Sequence, residues 1–172
     1  VNPFYDIAQG TGDANRIGDK IYVNKILFKM RLTIVPGQFI SQQTCPQILV
    51  RLLLIQTKDR LTNGITGFIQ QWSGTPLIKS GYTINGIIDT EKISVLKNKL
   101  VKLNPTNTNG QNNTFFLNIG HKWAKSIQYD ADNGGFMKFK NTYFVYYFEA
   151  GGSYAAGGIT TNVIQHVSFK DL

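Results

Sequence analysis

From Lys20 to Val35 the chain alternates between apolar and polar positions. Tyr22, Ile26, Phe28, Met30, Leu32 and Ile34 share one parity, and Lys25, Lys29, Arg31 and Thr33 share the other. Successive side chains of a strand point to opposite faces, so this run predicts a β-strand with one face on a core and the other on solvent or a partner. Sixteen residues is long for a strand, which predicts a bend or bulge within it, and Pro36-Gly37 ends it. Ile48 to Gln56 is nearly continuous in branched apolars, interrupted at Arg51, and predicts a strand buried on most of both faces. A polar turn follows at Lys58 to Gly64. Between Ile65 and Ile88 the pattern weakens to short apolar pieces at Gly67 to Trp72 and Tyr82 to Ile88, one of which could be a helix. Ile93 to Leu103 alternates again, with lysines at 97, 99 and 102.

Asn104 to Asn113 is almost entirely Asn, Thr, Gly, Pro and Gln, a composition that builds no core and reads as a surface loop. Phe115 to Ile119 and Trp123 to Tyr129 are the next two strand-like runs, followed by a turn at Asp130 to Gly135. Phe136 to Phe148 is aromatic-rich, Gly151 to Gly158 is a second loop, and Asn162 to Phe169 closes the series. No internal repeat or linker divides it. The expectation is one all-β domain over residues 1–172: an antiparallel jelly-roll sandwich of about eight strands.

Composition agrees with this reading. The 42% hydrophobic content fits a folded chain, and 17 glycines with 19 Phe and Tyr favour β structure over helix. The balance of 18 basic against 10 acidic residues leaves a net charge of +8, which favours an anionic partner without naming it. One cysteine, Cys45, excludes an intrachain disulfide and a cysteine-clustered zinc site; it reads as a small packed hydrophobe ahead of a strand. No signal peptide is evident, and no apolar run approaches the roughly 20 residues of a membrane span.

Catalytic chemistry is hard to place. His121 and His166 lie in separate runs, with no carboxylate at metal-ligand spacing. Asp89 with Glu91, and Asp130 with Asp132, could seed a calcium site or a glycosidase pair, but acids at such positions more commonly satisfy turn backbone. Gln9-Gly10-Thr11-Gly12 lacks the Gly-Lys-Ser/Thr ending of a phosphate loop and any preceding strand. No enzyme, metal or cofactor is expected. The basic parity of the first strand says more. No acid occurs between Lys20 and Gln56, so Lys25, Lys29 and Arg31 have no local partners. The lysines at 97, 99, 122, 125, 138 and 140 recur in other β-like runs. A one-signed face binds phosphates by releasing counterions, largely without reading sequence, and nearby Tyr and Trp can stack on unpaired bases.

The stretch Gln9-Gly-Thr-Gly-Asp-Ala-Asn-Arg-Ile-Gly-Asp-Lys-Ile-Tyr-Val23 resembles the segment leading into the first jelly-roll strand in coat proteins of circular Rep-encoding single-stranded DNA viruses. The satellite tobacco necrosis virus coat protein has a similar lead-in. Ile93 to Leu103, His121-Lys-Trp-Ala-Lys125 and Val163 to Asp171 resemble later strands of circovirus-like capsids, in order. The resemblance implies a non-enzymatic capsid protein, with about sixty copies closing a T=1 icosahedral shell around a single-stranded genome. Circular DNA is the first expectation and RNA the second. Arg16, Lys25, Lys29 and Arg31 are the expected lumenal phosphate contacts. Such proteins commonly begin with an Arg/Lys-rich arm, so an arm upstream of Val1 is expected, with passage through the host nucleus if it exists. The chain would reside in the virion, without a membrane and with an attachment factor that the sequence does not name. The rival reading is a carbohydrate-binding, lectin-like jelly roll with Trp72 or Trp123 as its sugar platform.

Overall fold

The computed structural model describes residues 2–4, 7, 18–35, 47–57, 78–80, 87–88, 90, 93–105, 113–129, 137–150 and 158–172. Strand β1 (Lys20–Ile34) follows the alternation until it meets an irregularity between Val23 and Lys25. Past this bulge the buried set changes parity. Ile21 and Val23 face the core on one side of it, and Ile26, Phe28, Met30, Leu32 and Ile34 on the other. Tyr22, expected among the core residues, instead stands on the opposite face, where the Lys170 ammonium lies 5.1 Å from its ring centroid. The extra residue changes which parity faces inward, so one long strand keeps a single core-facing side while bending.

Further strands are β2 (Ile48–Thr57), β3 (Ile78–Ser80), β4 (Ile87–Ile88), β5 (Ile93–Leu103), β6 (Asn113–Gln128), β7 (Asn141–Ala150) and β8 (Ile159–Asp171). Two three-stranded antiparallel sheets result, ordered β6-β1-β8 and β5-β2-β7, and β3 and β4 pair separately. The fold is therefore all-β and consistent with a sandwich. β4 lies within the Tyr82 to Ile88 piece, one of the two with a possible helix. The Gly67 to Trp72 piece, Cys45, and most of the two expected surface loops lie outside the described residues.

The continuous apolar run of β2 is buried on both sides, as its sequence predicts. Ile48, Val50, Leu52 and Leu54 join the core between the sheets, while Leu53 and Ile55 form a second cluster with Ile93, Tyr143 and Val145. Arg51 lies on that second side, also buried, with its Nε donating to Asn98 Oδ1 at 3.3 Å. Phe28 of β1 stacks on Phe144 of β7, with centroids 4.5 Å apart and rings tilted by 13°. Two contacts close the sides of the sandwich: Lys99 Nζ donates to the Asn118 carbonyl at 3.1 Å, and the Tyr146 and Thr161 hydroxyls meet at 3.0 Å. Burying each such aromatic contributes about 1.5–3 kcal/mol, so the inter-sheet layer dominates stability.

Two predicted segments needed correction. Phe115 to Ile119 and Trp123 to Tyr129 are one strand, β6, running through Gly120. The strand runs unbroken through this glycine, where even a Cβ would meet Leu27 Cδ1 at an ordinary contact distance of 3.4 Å. The aromatic run at Phe136 becomes regular strand only at Asn141, after Lys140 adopts a left-handed φ of 56°.

Candidate nucleic-acid interface

The outward face of the β6-β1-β8 sheet gathers the basic residues. Along β1 it presents Lys25, Leu27, Lys29 and Arg31, each flanked by one residue from β6 and one from β8. Lys25 is opposite Lys122 and Ser168, Leu27 opposite Gly120 and His166, Lys29 opposite Asn118 and Ile164, and Arg31 opposite Phe116 and Asn162. Directly opposed residues on a sheet face stand close enough to interact. The three strands contain seven lysines and arginines and one acid, Asp171, at the last position of β8. Lys25 and Lys122 thus sit side by side with no carboxylate between them, which places a concentrated positive potential on a flat surface.

Phe116 is 79% exposed and Ile164 64% exposed, on either side of the Lys29–Arg31 pair. Together with Asn118 and Asn162 they border a shallow concavity of about 380 Å³. A bare aromatic ring beside a guanidinium combines the two elements of single-strand binding: a surface for a base and a cation for its phosphate. Amide side chains at its edge add hydrogen-bond donors and acceptors.

Of the residues expected to contact phosphate, Lys25, Lys29 and Arg31 come together on this face, and Arg16 lies outside the described residues. Lys122 joins them. Lys97, Lys99, Lys125 and Lys140 do not; they lie toward the β5–β6 side of the sandwich and the turn before β7. Lys138 and Lys140 precede β7 and belong to no strand. Phe116, Ile164, His166 and Lys170 were missed because β6 and β8 follow β1 by many residues. Their exposed parity was readable, but the register that sets them beside Arg31 was not.

His121 and His166 occupy opposite sides of the first sheet. His166 is on the basic face, opposite Leu27. His121 shares the inward parity of β6 and meets Trp123 edge-on at 5.8 Å. Its pKa is held below the ordinary imidazole value, chiefly by burial and then by Lys97 and Lys125. Trp123, offered as a sugar platform, is only 8% exposed and packs edge-on against Phe4. A platform must present its face to ligand, and this ring is committed to the core; Trp72 lies outside the described residues. Among the described residues no cluster of His, Cys, Asp or Glu could hold a metal ion, and no helix is long and apolar enough to cross a membrane. The chain matches no family model and no curated protein.

Proposed function

We propose that this chain is the structural shell protein of a small virus, a jelly roll that self-assembles into a closed icosahedral container with its basic sheet turned toward a single-stranded nucleic-acid genome. One observation carries the proposal: a three-stranded face with Lys25, Lys29, Arg31 and Lys122 on it, no acid among them, and a bare phenyl ring in register with the arginine. Such a face binds phosphate backbone by counterion release and leaves the bases to stack without being read. The jelly-roll reading is supported by nested pairing, the first long strand with the last and the second with the next to last. Assembly is supported by the exposed apolar side chains Leu100, Phe139 and Leu172, which lie off the basic face, since large bare hydrophobes commonly mark contact surfaces. The chain acts as container and charge neutraliser, with no chemical step.

Size-exclusion chromatography and negative-stain microscopy of the purified protein test this directly. Uniform closed particles are expected. A monomer that persists at high concentration and binds no single-stranded DNA would overturn the reading. A monomer that instead binds glycans would favour the lectin-like alternative. Nuclease digestion of purified particles, with DNase and RNase in parallel, assigns the genome, with DNase sensitivity the expected result.

A further inference from the structure

The charges of the basic face are not spread evenly over it. Lys25, Lys29 and Arg31 follow one another down β1, the central strand of the sheet. The rows that cross the sheet are poorer in charge. Arg31 is flanked by Phe116 and Asn162, Lys29 by Asn118 and Ile164, and Leu27 by Gly120 and His166, so none of these rows holds a second lysine or arginine. Only the Lys25 row does, in Lys122. The one acid of the three strands, Asp171, pairs with inward-facing Ile21 beyond the bulge. A polyanion crossing the sheet would therefore meet at most two of these cations. One running along β1 meets three in line, with Lys122 beside the first. Each phosphate neutralised releases further counterions, so the lengthwise course is the more favourable.

Spacing and shape agree with it. Alternate residues of a strand stand ~6.6 Å apart, close to the phosphate repeat of an extended single strand. Lys25 to Arg31 thus covers about 20 Å, room for about four nucleotides and at the short end of single-strand sites. Across the sheet, β6 and β8 lie about 10 Å apart, room for about two. At the Lys29–Arg31 end, exposed Phe116 on β6 and exposed Ile164 on β8 border the concavity of about 380 Å³ from either side. Walls carried on strands about 10 Å apart admit one extended chain and exclude a duplex, which is broader.

We infer that an unpaired nucleic-acid strand lies lengthwise along β1, about four nucleotides to each subunit, with phosphates on Lys25, Lys29 and Arg31 and a base against Phe116. This rests on the reading of the face as a genome-binding surface, and adds the course and length of the bound segment.

Competition anisotropy tests it, with 5′-phosphorylated oligothymidylates of two, four, six and eight nucleotides and the protein below the concentration at which it associates. Affinity should rise at least tenfold from two nucleotides to four, and only a few-fold from four to eight. Lys25→Ala, at the far end of the line from Phe116, should erase most of the gain between two and four. A duplex of the eight-nucleotide length should compete at least tenfold less well than the single strand. Affinity that already levels off at two nucleotides, a Lys25→Ala protein that keeps the full gain, or a duplex that competes equally would overturn the lengthwise course while leaving the face a nucleic-acid surface. Failure of every length to compete would overturn that surface as well.

Discussion

His121 shows how placement sets the chemistry of a single side chain. Its imidazole points inward from β6, half-buried beside Trp123, with Lys97 and Lys125 near enough to disfavour a further positive charge. Burial is the larger cause. The folded protein therefore binds a proton at His121 less readily than the unfolded chain does. Stability is fully present above the ordinary imidazole value of 6.5 and is lost as pH falls through the lower folded value. Urea denaturation should show a midpoint that declines between about pH 7.5 and about pH 5, and His121→Gln should flatten that decline. A parent and variant with parallel pH profiles would show that His121 does not carry it. On the other sheet, Tyr147 is pushed up to about 12, mainly by burial and against the pull of Arg51. The phenol thus stays neutral at physiological pH, and the neighbouring guanidinium relies on hydrogen bonding such as that to Asn98.

At the scale of the element, β1 depends on its bulge. Ile21 and Val23 are wholly buried on one parity and Ile26 to Ile34 on the other. Without the irregularity, one of these two groups would turn to solvent. Deleting Asn24 should therefore expose Ile21 and Val23, and move Tyr22 and Lys20 inward. The expected outcome is loss of cooperative unfolding by circular dichroism, whereas the substitution Asn24→Ala should change stability by under about 1 kcal/mol. The Phe28–Phe144 stack gives the complementary measure of packing: Phe28→Ala should cost about 3–5 kcal/mol in denaturant unfolding, because the neighbouring sheet cannot collapse into the space of a ring.

Across the whole molecule, the basic residues separate into two regions that composition merges into one net charge of +8. One is the flat face of Lys25, Lys29, Arg31 and Lys122; the other, with Lys125 and Lys140, lies toward the β5–β6 side of the sandwich and the turn before β7. On the flat face, replacing Lys25, Lys29 and Arg31 together by alanine should lower affinity for single-stranded DNA of every sequence alike. The log–log dependence of binding on salt should become shallower by about 2, at roughly 0.7 for each phosphate that is no longer neutralised. Phe116→Ala should weaken binding by about 1–3 kcal/mol with the salt slope unchanged, since stacking releases no counterions. Fluorescence anisotropy across a salt series separates the two effects.

Much of this was legible in the chain. The period of two in β1, the double-sided apolar run of β2, the bounds of β5 (though not its alternation, since Lys97 to Leu100 are all exposed), and the basic parity at 25, 29 and 31 follow from which residues stand next to one another. These are local properties, set by the pleat of a strand and by what each side chain can bury. Which strands pair is not local. Leu27 and Gly120 become neighbours only when β6 lies beside β1. Phe116 becomes a candidate base platform only because the register brings it to Arg31. Trp123, aromatic and flanked by lysines in sequence, resembles an exposed platform until Phe4 packs against it. The sequence alone determined an all-β, basic chain with one polar side to its first strand. Tertiary structure decided that those charges share a face with a bare ring, and that the Trp123 indole packs into the core against Phe4. Contacts between residues far apart in the chain leave no mark on either neighbourhood until folding brings them together.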